Sequence, residues 1–135
     1  MQDDAQQLIE AAGGPAPGSL RAAIANAMVG LKKRYYGRGP EAAKAYIEDD
    51  YIFVVLEGGL TRNEETLLAA GKADLVRQYR LTFQDVVGPT ATGAIEELTG
   101  RKVIGYHSQV VFEPFRAFEI FVLEPGTATL SANGR

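Results

Sequence analysis

The stretch GRGPEAAKAYIEDDYIFVVLEGGLTRNE, residues 37–64, decides the fold. Gly37-Arg38-Gly39-Pro40 stops a basic amphipathic helix, because glycine takes the left-handed position past a helix end and proline cannot continue the ladder. Two apolar runs follow, residues 43–48 and 51–57, joined at Asp49-Asp50. They read as a hairpin, although its turn lacks the favoured glycine. Leu60-Thr61-Arg62-Asn63-Glu64 then opens a helix. Thr61 and Glu64 have the spacing of a capping box, in which the hydroxyl accepts from the Glu64 N–H and the carboxylate accepts from the Thr61 N–H.

The second run is the unusual one. Ile52, Val54 and Leu56 face one way, and Tyr51, Phe53 and Val55 face the other, so both sides of the strand are apolar. A small sheet with helices on one face then needs a second cover. Another copy of the chain is the simplest, which makes Tyr51, Phe53 and Val55 candidate homodimer contacts.

Upstream, Ser19 is the N-cap of a helix whose apolar side is Leu20, Ile24, Ala27, Met28, Leu31 and Tyr35. Arg21, Asn26, Lys32 and Arg34 form its other side. Residues 13–18 are Gly/Pro-rich and read as a linker, so residues 1–18 are expected to be a flexible arm. Downstream, the helix opened by Thr61 ends near Gly71. A longer one over residues 73–98 carries Leu75, Val76, Tyr79, Phe83, Val86, Val87, Ile95 and Leu98 on a stripe. Gly88-Pro89 predicts a kink or break within it. Gly100 ends it, and residues 102–112 and 116–123 form a second hairpin about Glu113-Pro114-Phe115. Residues 126–135 are expected to be a disordered tail.

The order α-β-β-α-α-β-β predicts an α+β two-layer sandwich: about four mainly antiparallel strands with helices on one face, in a single domain over residues 19–125. A length of 135 residues suits one domain. With 46% hydrophobic and 23% charged residues, wholesale disorder is not expected.

The chain has no cysteine, which excludes thiolate nucleophiles, disulfides and cysteine-ligated metal sites. A net charge of −3 argues against nucleic-acid binding by phosphate neutralisation. The longest apolar run, residues 51–56, is far shorter than the roughly 20 residues a membrane helix needs. No secretory signal leads the chain, so the expectation is a cytoplasmic protein without direct membrane insertion.

Candidate chemistry is sparse. His107, the only histidine, lies in a strand beside Tyr106 and Ser108. Arg77 and Arg80 flank Tyr79 on the long helix, where they either pair with Glu96 or strand carboxylates or line an anion site. Arg77, Arg80, Tyr106 and His107 are therefore the candidate ligand-binding residues, for a pocket between helix and sheet. Lys32, Lys33, Arg34 and Arg38 cluster at a helix C-terminus, where the dipole accounts for them. Gly37-Arg38-Gly39-Pro40 resembles a phosphate loop only superficially, since it ends a helix instead of following a strand. No catalytic residue, cofactor or metal set is indicated.

Gly37-Arg38-Gly39-Pro40, Leu60-Thr61-Arg62-Asn63-Glu64, Arg80, Thr99-Gly100-Arg101-Lys102-Val103 and Phe121-Val122-Leu123-Glu124-Pro125 occur in an order that resembles the MpsC-like proteins. This bacterial family, long catalogued as a domain of unknown function, is labelled after a sodium-translocating, membrane-potential-generating system. The resemblance spans residues 20–125. It implies a small non-enzymatic accessory or regulatory protein, with a membrane-transport protein as partner and a link to cation movement and inorganic-carbon supply. It carries over no catalytic residue. The alternative from the residues themselves is a small-ligand or anion-binding domain.

Overall fold

The computed structural model describes residues 19–126. The expectations for residues 1–18 and 127–135 lie outside it. Helix α1 (Leu20–Tyr36) leads into strands β1 (Ala42–Glu48) and β2 (Tyr51–Glu57), then helices α2 (Arg62–Ala69) and α3 (Ala73–Thr99), then strands β3 (Val103–Val111) and β4 (Arg116–Leu123). The expected α-β-β-α-α-β-β order is the observed one.

The four strands form one antiparallel sheet in the order β1-β2-β4-β3. The second hairpin therefore docks its returning strand beside β2 and leaves β3 at an edge. A register shift between Val103 and Gly105 marks a bulge in β3. Ile24, Met28 and Leu31 of α1 and Val87, Ala91 and Ile95 of α3 pack on the inward residues Ile52, Val54, Leu56, Ala117, Phe121 and Leu123. One helical layer thus covers one side of the sheet.

Local signals account for most boundaries. The Ser19 hydroxyl accepts from Ala22 N–H at 3.1 Å and starts α1. Gly37 ends it at φ +81°, where a side chain would be strained. Thr61 and Glu64 form the reciprocal capping box at the start of α2.

The break expected at Gly88-Pro89 is absent, and α3 runs unbroken from Ala73 to Thr99 with Pro89 inside it. Pro89 and Asp85 are both exposed, so water can reach the Asp85 carbonyl that the missing proline N–H leaves free. Gly88 is buried against Tyr106; a Cβ there would lie 3.4 Å from the tyrosine ring, so its absence lets α3 approach β3.

The buried stripe of α3 is also rotated from the expected one. Val76, Arg80, Gln84, Val87, Ala91 and Ile95 face inward, while Leu75, Tyr79 and Val86 are exposed. Two polar residues occupy the middle of the apolar face.

Candidate functional site

Two features stand apart from ordinary packing: a polar seam buried between the layers, and the uncovered outer face of the sheet. The seam is built from α1, the start of α2, α3 and the inward side of β3 and β4. Arg80 is 2% exposed and donates from Nε to Glu64 Oε2 and from Nη2 to Glu64 Oε1, each at 2.6 Å, and from Nη2 to the Gly59 carbonyl at 3.2 Å. Its guanidinium also lies 3.9 Å from the centre of the Tyr36 ring and 4.9 Å from that of Phe115. The expected pairing with Glu96 or a strand carboxylate is corrected: Glu96 instead accepts from Val103 N–H at 2.9 Å, and the partner of Arg80 is the capping carboxylate of α2. Burial works to raise the Glu64 pKa, but the bonds from Arg80 and from Thr61 outweigh it and hold the carboxyl below its ordinary value.

The second half of the seam centres on Glu119, 1% exposed on β4. Lys32 Nζ of α1 lies 3.0 Å from its Oε2, and Ser108 Oγ donates to the same oxygen at 3.2 Å. Tyr106 O–H makes a short contact with Glu119 Oε1 and lies 2.9 Å from Gln84 Oε1. A phenol has one proton to give. If it goes to the carboxylate, the Gln84 amide must present its NH₂ to the tyrosine oxygen, which also gives a partner to the otherwise orphaned Nε2. Lys32 was expected on the outer side of α1. It is instead 2% exposed, and burial outweighs Glu119 to lower its pKa. Burial, followed by the charge on Glu119, raises that of Tyr106.

The four candidate ligand residues do not converge. Arg80 and Tyr106 belong to the seam, in separate hydrogen-bond sets. Arg77 stacks on Phe112, 5.1 Å from the ring centre. His107 is exposed and alternates with Tyr106 along β3, which puts it on the outer side of the sheet. The crevice lined by Arg80, Lys32 and Arg38 includes none of the other three. Lys32, Gln84 and Glu119 were missed as a set. The available signal was Met28, Lys32 and Tyr36 at four-residue spacing, and Glu119 in phase with Ala117, Phe121 and Leu123.

Arg101 joins one end of the fold. It donates to Asp50 Oδ1 at 2.6 Å, to the Asp49 carbonyl at 3.1 Å and to the Glu124 carbonyl at 2.9 Å, tying the β1–β2 turn to the end of β4.

The outer face follows from strand alternation. Tyr46 of β1, Tyr51, Phe53 and Val55 of β2, and Phe118, Ile120 and Val122 of β4 point away from the helices. Phe53 stacks on Phe118 with ring centres 5.8 Å apart, and Tyr46 lies 6.3 Å from Phe53. Lys44, Glu48, His107 and Gln109 bound this apolar area, as do Glu57 and Arg116, which pair at 3.6 Å.

The fold and these features define a class: an open-faced α+β sandwich with an ion-paired seam buried between its layers. The particular family is given by comparison. The family model described as Na+-translocating membrane potential-generating system (MpsC) matches residues 16–125, and the chain belongs to that family. No curated protein and no solved structure matches it. No helix among the described residues is long and apolar enough to cross a membrane.

Proposed function

We infer that the protein is a non-enzymatic accessory component of the membrane system its family is named for, working in the cytoplasm as a homodimer closed through the outer sheet face. The observation that carries this reading is the uncovered apolar surface of Tyr46, Tyr51, Phe53, Val55, Phe118, Ile120 and Val122; Tyr51 is 54% exposed and Tyr46 43%. Strand spacing and rise give the face about 400 Å² in projection. That lies within the roughly 300–600 Å² of the largest apolar patch on an ordinary monomer, which is often functional, and is about half of the roughly 800 Å² each partner gives to a standard interface.

The rim supplies the remainder and favours a second copy. Lys44 and Arg116 stand on the same side as Glu48 and Glu57, so a two-fold operation can set opposite signs together. Family membership supports a membrane-system context, in which the dimer presents its helical side to a transport protein. Light-scattering mass across a dilution series tests the reading. A mass near twice 14.5 kDa is expected; a monomer at all concentrations removes the dimer.

A further inference from the structure

Strand pairing sets the outer side chains of the sheet in four rows of four, each running from β1 through β2 and β4 to β3. The row at one end holds Glu57 and Arg116 at its middle, flanked by Ala42 and Val111. The row at the other end has Tyr51 and Val122 in those middle places. Val55 with Phe118, and Phe53 with Ile120, fill the middle of the two rows between. The centre of the face is thus charged at the end that leads to α2, and apolar at the end that holds the Asp49-Asp50 turn.

Two copies stacked face to face are related by a two-fold axis lying between their sheets. Aligned sheets keep their strand directions within about 30° of each other, so the axis runs either along the strands or across them. Orthogonal stacking is built by strands that turn from one sheet into the other, and two separate chains have none. An axis across the strands reverses the rows. It sets Glu57 on Tyr51 of the second copy and Arg116 on Val122, which strips a carboxylate and a guanidinium of water against apolar side chains. Sliding the axis to spare them uncovers an apolar row.

An axis along the strands, midway between β2 and β4, keeps the rows and exchanges the columns. Val55 then meets Phe118 of the second copy, Phe53 meets Ile120 and Tyr51 meets Val122, apolar on apolar. Glu57 meets Arg116, and Arg116 meets Glu57. Together with the 3.6 Å pair inside each copy, they form a ring of four charges of alternating sign. The edge strands raise no conflict, because Lys44 and Glu48 of β1 stand over Gln109 and Gly105 of β3, which carry no charge.

We propose that the homodimer closes about an axis along the strands between β2 and β4, with the Glu57–Arg116 pairs of the two copies interlocked at one end. The axis rests on the dimer reading of the outer face and gives that dimer two unlike ends. Both α2 helices and both β3–β4 turns stand beside the charge ring, and both Asp49-Asp50 turns stand at the far end. A transport protein meeting the helical side at the ring end can contact both copies at once.

Full-length chains with one reversed charge each test the axis. Glu57→Arg makes all four ring charges positive, and Arg116→Glu makes all four negative. The native side chains are 51% and 36% exposed, so each variant should keep the wild-type circular dichroism. By light scattering across a dilution series, each variant alone should dimerise about tenfold more weakly than the wild type, the scale of two reversed exposed pairs. Mixed in equal amounts they rebuild the alternating ring, and should reach a mass near twice 14.5 kDa at the wild-type midpoint. An axis across the strands holds the two charged rows at opposite ends, so mixing restores nothing. A wild type that stays monomeric removes the dimer and the axis together. A wild type that dimerises, while the mixture associates no more tightly than its components, keeps the dimer and overturns the axis.

Discussion

Glu64 serves two partners at once: its carboxylate caps α2 through the Thr61 N–H at 2.9 Å and grips the Arg80 guanidinium through both oxygens at 2.6 Å. A helix start and the middle of another helix are thereby fixed to each other across 16 residues of chain. Arg80→Leu leaves the carboxylate buried without its counter-charge, and should cost about 3–5 kcal/mol. Replacing both partners by apolar residues should cost much less. Urea unfolding of the single and double variants checks this, and an Arg80→Leu chain as stable as wild type would sink it.

The same pair predicts an acid limb. Because the folded Glu64 carboxyl is held below its ordinary value of 4.5, its contribution to stability is full above that value. It is lost as the pH falls through the lowered folded pKa, where the folded state finally takes up the proton the unfolded state already holds. Glu64→Gln lacks this titration. The stability gap between the two chains should therefore be wide at neutral pH and shrink as the pH falls below 4.5. A gap independent of pH would contradict the assignment.

Thr61→Ala removes the hydroxyl that accepts from Glu64 N–H at 3.2 Å. The expected loss is about 1 kcal/mol, the usual range for an N-cap. The Glu64 carboxylate retains Arg80, so the solution mass should not change. A change in mass would assign the threonine more than a cap.

How much of this was legible follows from how local each signal is. Gly37, Gly100 and the Thr61–Glu64 box act on their own neighbours, and a single sequence reports them directly. The two-sided strand at residues 51–57 was legible for the same reason. Lys32, Gln84 and Glu119 were not, because each looks ordinary alone: a lysine near a helix end, a glutamine between apolar residues, a glutamate in an apolar strand. Their meaning lies in the packing of α1 and α3 on β3 and β4, which pairs residues separated by tens of positions. Arg80 was visible as a charge in an apolar stripe, but its partner was concealed behind that residue's own capping role. The continuity of α3 through Pro89 depended on which side of the helix faces water, again a tertiary matter.

The outer face carries the last prediction. Phe53 sits at its centre, opposite Ile120, stacked on Phe118 and beside Tyr46. In a monomer a glutamate there would point into water and cost little. In a face-to-face dimer the same substitution places two carboxylates in a dry, two-fold-related interface, where desolvation and like charge both oppose association. Phe53→Glu should therefore be a folded monomer by light scattering. Val86→Glu is the control, because Val86 is the most exposed large apolar side chain among the described residues and lies on α3, on the opposite layer. It should keep the wild-type mass. If Phe53→Glu remains dimeric while retaining its fold, the sheet face is not the interface, and association must run through the helices or an edge of the sheet, β1 or β3.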